Sequence, residues 1–408
     1  MELNLERYGD IYSARVYGSN VYVVNRPQMA EHVLLKNWGN YLRKGQAVKR
    51  IAFSLGPGLI SLNGERWASQ RRMIQPAFTR EAVSALFDAI CVPNQSLFAR
   101  WKQAAAAHQN VDVTHDLSLT VLEVTLRAIF GRDYDSVAPE FQIISDETRS
   151  LEFAHVCSEL VSVIVAIVRA RRERQSDDAD ILGRMMAARD RQGSPMPDVQ
   201  LAREAMTLVI AGHETTASTL NWVWYLLAKH PDVQSRVAAE VRDCKGKAAL
   251  SMNALQQLSY TCSVLEEALR SYPPLWLMTR KTIKPDLLEG YQVPSGTEIY
   301  ISPYLLQRHP RLWQDPHRFD PERFEAGNSA IQQRLSMCPF GAGPRNCIGE
   351  YFARVEMQIH LASIVDSLSL YNTVEEPAQI VAGVNLLSRG HFIMQPQLRN
   401  DSNASRIA

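Results

Sequence analysis

The chain has 408 residues, 46% of them hydrophobic and 21% charged, with a formal net charge of +1. That is length enough for a large core, and the near-neutral balance excludes bulk electrostatic binding to nucleic acid. The six cysteines form no C-x-x-C pair and follow no signal-peptide pattern, so they read as reduced thiols of a cytoplasmic protein. No apolar run approaches the roughly 20 residues of a membrane span.

Ile11 to Tyr17 and Val21 to Val24 flank Gly18-Ser19-Asn20 and predict a hairpin. Asn25-Arg26-Pro27 opens a short helix through Leu35, with Asn25 as its cap and proline in the first turn. From about Arg66 to His230 the pattern is mostly helical, broken most clearly at Gly131-Arg132-Asp133-Tyr134 and Gln192-Gly193-Ser194-Pro195. Within it, Leu160 to Val168 reads as a buried helix running into a solvated basic end, Arg169-Ala170-Arg171-Arg172-Glu173-Arg174. A long helix is expected from Val199 to Lys229, stopped by Pro231. Tyr291-Gln292-Val293 and Thr297-Glu298-Ile299-Tyr300-Ile301, around Pro294-Ser295-Gly296, predict a second hairpin. Pro303, Pro310, Pro316 and Pro321 then mark an irregular, aromatic-rich segment. The chain as a whole predicts one mainly α domain over residues 1–408 with a minor β-sheet region and no splitting linker.

Phe340-Gly341-Ala342-Gly343-Pro344-Arg345-Asn346-Cys347-Ile348-Gly349 is the most informative stretch. Ile348, Phe352, Val355, Ile359 and Ala362 recur at helical spacing, so Cys347 ends a tight loop just before a helix. There, free N–H groups and the helix dipole favour a thiolate, a soft metal ligand. The glycines let backbone pass close to a flat object, and Arg345 supplies a cation. Read alone, the stretch is equally a glycine-rich turn around an ordinary buried cysteine. A dinucleotide loop fails, because position 346 is Asn where glycine is needed.

Three further motifs stand apart from it. Trp67 and Arg71 lie one turn apart on a helical stretch, which alone is compatible with a surface aromatic–arginine stack. Ala211-Gly212-His213-Glu214-Thr215-Thr216 sits inside the long helix, where a glycine costs about 1 kcal/mol and wants a reason; a close neighbouring helix is one. A zinc hydrolase would need a second histidine at position 217, which is Ala. Glu267 and Arg270 form an i, i+3 pair, with Pro321-Glu322-Arg323-Phe324 some fifty residues on.

Phe-x-x-Gly-x-Arg-x-Cys-x-Gly resembles the haem-binding signature of the cytochrome P450 family, with Phe340, Gly343, Arg345, Cys347 and Gly349 at its fixed positions. The other motifs follow in the family's order. The resemblance implies a long central helix over a haem b (iron protoporphyrin IX) and Cys347 as the iron ligand. Trp67, Arg71, Arg280 and Arg345 would hold the propionates, Phe340 would pack against the sulfur, Gly341 would let backbone pass close to the ring, and Gly349 would keep the helix clear of it. Ala211 and Gly212 would clear space for O2, Thr215 would hand a proton to the distal oxygen, and Glu214 would relay protons from solvent. Glu267, Arg270 and Arg323 would form a buried charge network under the loop.

Leu275, Leu277 and Met278 before Arg280 would wall the cavity, so the substrate would be an apolar fatty acid, terpenoid, polyketide or similar molecule. Electrons would come from a ferredoxin or flavodoxin with its reductase, docking on the cysteine side near cations such as Arg345. The rival readings are a P450-fold peroxygenase or isomerase and a non-enzymatic haem sensor. Two departures from the family stand out. The chain opens almost directly at Glu6-Arg7-Tyr8-Gly9-Asp10, without a proline-rich lead-in or membrane anchor. Also, only about forty residues separate Gly131 from Arg169, where the family fits two helices and a mobile lid. At about 1.5 Å per helical residue, the roof is expected to be short or to lack a segment.

Overall fold

The computed structural model describes residues 5, 7–16, 18–43, 48, 52–53, 55–141, 152–245, 250–325, 335–374 and 376–399. The expectations about the first residues and about a lid bear partly on residues 1–4, 6 and 142–151, which lie outside the described residues.

The first hairpin forms as β1 (Ile11–Val16) and β2 (Ser19–Val24), paired from Ile11↔Val24 to Val16↔Ser19. Its turn sits one residue earlier than the sequence suggests, at Gly18, whose φ of +80° suits a residue without Cβ. The short helix α1 (Pro27–Glu31) is capped by Arg26, not Asn25, and without a side-chain bond. Arg26 instead reaches Asp10 and Glu289. A π-helical turn, His32–Lys36, follows before β3 (Tyr41–Leu42).

The helical half contains α2 (Gly64–Ile74), α3 (Phe87–Ala106), α4 (Val113–Phe130), α5 (Tyr134–Phe141), α6 (Glu152–Glu173) and α7 (Asp198–Lys229). It continues with α8 (Pro231–Lys245), α9 (Ser259–Ser271) and α10 (Glu350–Ile364). Helix α7 runs unbroken for 32 residues and packs on α4, α6, α8, α9 and α10, which makes it the axis of the main core. Among the described residues, two helices begin between Gly131 and Arg169: α5, with eight described residues, and α6, which runs on to Glu173. Cys157, Leu160, Ile164 and Val168 form the buried stripe of α6. The expected basic end is exposed at Arg169, Arg172, Glu173 and Arg174, but Arg171 departs from it and continues the buried stripe. Its side chain is fully buried, donating to Asp133 at 2.6 Å, to both Asp180 oxygens at 2.8 Å and to the Phe130 carbonyl at 2.6 Å.

The second predicted hairpin is corrected by the sheet. β7 (Tyr291–Val293) pairs with β6 (Asp286–Leu288), not with β8 (Glu298–Ile301). The reason is local: Glu289 and Gly290 both have positive φ, 45° and 91°, the two-residue turn that matches strand twist. β8 lies parallel to β2 and antiparallel to β5 (Met278–Thr282), completing the sheet β1-β2-β8-β5-β3. A second core packs on this sheet and includes Met278, Cys338 and Ala342, so it reaches the cysteine loop. β12 (Ile393–Leu398) pairs antiparallel with both β4 (Val111–Asp112) and β9 (Leu368–Asn372), and β10 (Ile380–Ala382) with β11 (Leu386–Ser388) forms a hairpin.

Candidate functional site

The cysteine loop is folded by its own backbone. Cys347 N–H donates to Phe340 O at 2.9 Å, Gly341 N–H to Cys338 O at 3.0 Å, and Asn346 N–H to Gly343 O at 3.0 Å. At Gly343 (φ +70°) a Cβ would collide with the Leu34 carbonyl in the π-helical turn, so this glycine lets the loop seat on that turn. Gly341 (φ +73°) faces the Met278 sulfur, and a Cβ at Gly349 would touch the Phe78 ring at 3.7 Å. The Phe340 ring lies under the Arg354 guanidinium, 4.8 Å away. Cys347 stands before α10, and that helix packs against α7.

Cys347 is exposed by surface area, yet the surrounding protein pushes its thiol pKa up. The Gly349 N–H and the cations Arg71 and Arg43 pull it down but lose to burial. The Gly349 N–H thus acts in the expected direction, toward a thiolate, while burial acts against it.

Helix α2 brings Trp67 and Arg71 to the loop together. The cation stacked on Trp67 is Arg345, 4.1 Å above the ring, and not Arg71. Arg71 donates to the Asn346 carbonyl at 2.9 Å and to its side-chain oxygen at 3.1 Å. Arg345 donates to Leu62 O at 2.7 Å and to Asn63 Oδ1 at 3.0 Å, so it faces inward and cannot serve as the docking cation expected for a partner. Arg280 is buried and donates to its neighbour's carbonyl, Thr279 O, at 2.9 Å. Burial, then Arg43 and Arg345, push its guanidinium down to about 9. Burial, then Arg43 and Arg71, push Arg345 down to about 10.

Among the described residues, none of Arg43, Arg71, Arg280 and Arg345 forms an ion pair with a carboxylate. Arg43 repels Arg280 and Arg345, Arg71 repels Arg345, and Arg43 and Arg71 act on the Cys347 thiol, a donor set that fits a haem. Its two propionates would satisfy the cations and its iron would take the sulfur. Arg43 was not legible as a site residue, and neither was Asn63. Asn63 occupies the N-cap position of α2 without making the capping bond. Its amide instead joins Arg43 N and O to the Arg345 guanidinium.

On α7, Ala211 is exposed and Gly212, Glu214 and Thr215 are half-buried. The face of Gly212 looks at Thr125 of α4, where a Cβ would meet Cγ2 at 3.4 Å, so close helix packing is one reason for the glycine. His213 is buried against Ser118 of α4, and burial pushes its imidazole down to about 4. Thr215 Oγ1 donates to Ala211 O at 2.7 Å. Glu214 accepts from Asn385 Nδ2 at 2.7 Å.

About three turns before Thr215, Glu204 is fully buried and accepts the Leu59 N–H at 3.0 Å and the Gln200 amide at 3.0 Å. Burial raises its carboxyl from 4.5 to about 7. The native state therefore holds this proton more tightly than the unfolded chain. The resulting stability is fully present below pH 4.5 and is lost as pH rises through about 7. The shift corresponds to at most about 3 kcal/mol. Urea unfolding at pH 5 and pH 8 is expected to show Glu204→Gln gaining on the parent by up to that amount at the higher pH. A pH-independent difference would refute this assignment.

Behind the loop, Glu267 and Arg270 pair with both groups fully buried, at 2.6 and 2.8 Å. Arg323 stands 3.6 Å from Glu267 and donates to Asp315 O at 2.9 Å. Gln307, which the sequence did not mark, connects this pair to the loop. Its carbonyl accepts from Arg270 at 2.8 Å, and its side-chain oxygen accepts Cys338 N–H at 3.0 Å.

Comparisons with known proteins agree with this geometry. The family model described as Cytochrome P450 matches residues 1–151 and 143–389. The chain is 30% identical over 384 residues to cyclooctat-9-en-7-ol 5-monooxygenase of Streptomyces melanosporofaciens, covering 88% of this chain and 82% of that protein. It is 28% identical over 405 residues to pentalenene oxygenase of Streptomyces avermitilis, covering 95% and 89%. The cytochrome P450DA heme domain superposes with a TM-score of 0.89 at 23% identity, covering 98% of this chain and 91% of that one. With the thiol, the cation cluster and the buried Glu–Arg pair in place, the chain belongs to the cytochrome P450 family, and it is a haem-dependent monooxygenase.

Proposed function

We propose that this P450, as a single haem domain, oxidises an apolar terpenoid or similar lipid-like molecule, drawing electrons from a separate ferredoxin or flavodoxin and its reductase. The observation that carries the oxygen-inserting reading is the adjacent acid and alcohol, Glu214 and Thr215, on the helix that packs against α10 next to Cys347. The terpenoid preference rests on relatives named for oxidising cyclooctat-9-en-7-ol and pentalenene. A P450-fold peroxygenase or isomerase would need no such proton-handling pair. Among the described residues no helix is long and apolar enough to cross a membrane, which fits a partner supplied from solution.

When bound, the haem supplies the activation of O2. Cys347 would hold its iron, with Arg43, Arg71, Arg280 and Arg345 on its propionates. Thr215 would deliver the proton. Its hydroxyl hydrogen points at the Ala211 carbonyl, so it must rotate off that carbonyl to donate into the pocket. The proton it passes on would then be replaced from the half-buried Glu214. The exposed Arg66 and Arg72 of α2 offer the positive face for the electron donor, in place of the inward-facing Arg345. Thr215→Ala is expected to lower product per electron pair by about tenfold or more and to release the difference as hydrogen peroxide. An unchanged product yield would sink the proposal.

A further inference from the structure

We propose that Asn385 is a positioning residue for proton delivery, holding the Glu214 carboxylate from the β10–β11 hairpin. This rests on the proposed role of Glu214 as the relaying acid. Asn385 is 6% exposed and its Nδ2 donates to Glu214 Oε2 at 2.7 Å, a short charge-assisted bond. It sits in the connection between β10 and β11, where its backbone carbonyl accepts Gly383 N–H at 3.0 Å and closes the turn.

The hairpin is anchored without this side chain. Ser218 Oγ and Trp222 Nε1 of α7 donate to Leu386 O at 2.8 and 3.2 Å, and Asn221 Nδ2 donates to Ser388 Oγ at 3.1 Å. From the other side, Leu386 N–H donates to Pro274 O at 3.0 Å, and Trp276 Nε1 to Gly383 O at 2.9 Å. Those bonds fix residues 383–388 on α7 and on the segment leading to β5. The Asn385 amide is therefore spent on Glu214 and not on docking the hairpin. A glutamate has three side-chain torsions, and a rigidly mounted donor that carries no ionisable proton selects one arrangement without competing for the proton being relayed. The same hairpin bonds the 272–277 segment that precedes Arg280, so the acid is aligned by an element that also borders the apolar wall.

The test uses holoenzyme with a surrogate ferredoxin and reductase, and whichever of farnesol or lauric acid gives the larger ferric spin-state shift. Asn385→Asp keeps the side chain's shape and its ability to form the turn but replaces the donor by a carboxylate. Both Asn385→Asp and Asn385→Ala are expected to retain the parent's haem content and carbon monoxide spectrum. Product per electron pair should fall about tenfold, peroxide should rise, and the solvent deuterium isotope effect should grow. Adding either change to Glu214→Gln should produce no further loss, because both act through one carboxylate. Full coupling in Asn385→Asp, or losses that multiply in the double variant, would overturn the positioning role while leaving Glu214 as the acid. Full coupling in Glu214→Gln would instead overturn the acid reading itself, and this proposal with it.

Discussion

Cys347→Ala is expected to remove the red-shifted Soret band that reduced thiolate haem gives with carbon monoxide, and to lower oxygenation about a hundredfold or more. The argument is that no neighbouring group can take over. The next cysteine along the chain, Cys338, is 3% exposed, and burial pushes its thiol up to about 12. Its backbone N–H is committed to Gln307. Among the described residues no group of three or more His, Cys, Asp or Glu could hold a metal ion in its place. The loop itself should survive, since the bond from residue 347 to Phe340 O uses only backbone. Cys347→His is the companion variant. It offers a nitrogen ligand in place of the sulfur and should recover haem without the red shift. A red-shifted band in either variant would show that the sulfur lies elsewhere.

The sequence makes the chemistry-bearing residues legible but not the scaffold that aims them. Cys347, the Trp67–Arg71 pair and the Glu214–Thr215 pair lie at fixed short spacings, and helical periodicity places each on its element. Helix α7 was visible almost to the residue, because an uninterrupted apolar pattern ends at Pro231. The misses are contacts between segments far apart in the chain. Nothing local at Asn63 says that its amide serves Arg43 and Arg345 rather than the helix it precedes. Nothing at Gln307 or Asn385 points to partners thirty or more residues away. The second hairpin failed for a different reason. Pro294-Ser295-Gly296 and Glu289-Gly290 are both turn-competent, and the choice was settled by β8 finding edges on β2 and β5. Arg171 failed because six residues rich in arginine look solvated until Asp133 and Asp180 arrive from outside the helix.

Arg270→Ala is expected to give protein that cannot retain haem, through folding and not through chemistry. The guanidinium is fully buried and donates twice to Glu267, to the carbonyls of Gln307, Pro316 and Arg318, and to Ser271 Oγ. Removing it strands a buried carboxylate, at about 3–5 kcal/mol, and each orphaned carbonyl adds about 1–3 kcal/mol. Against a total stability of about 5–15 kcal/mol, that is enough to unfold the region. The damage is routed to the site through Gln307, whose carbonyl accepts from Arg270 and whose amide holds Cys338 at the start of the cysteine loop. Arg270→Lys keeps the charge but loses the planar fork, so it should fall between Ala and the parent. Arg323→Ala should cost less than either, because Arg323 stands 3.6 Å from Glu267 and its Nε lacks a hydrogen bond. Haem per polypeptide and the urea midpoint, measured across the three variants, should rank in that order. Stable, haem-replete Arg270→Ala would show that Gln307 and the loop hold their geometry without it.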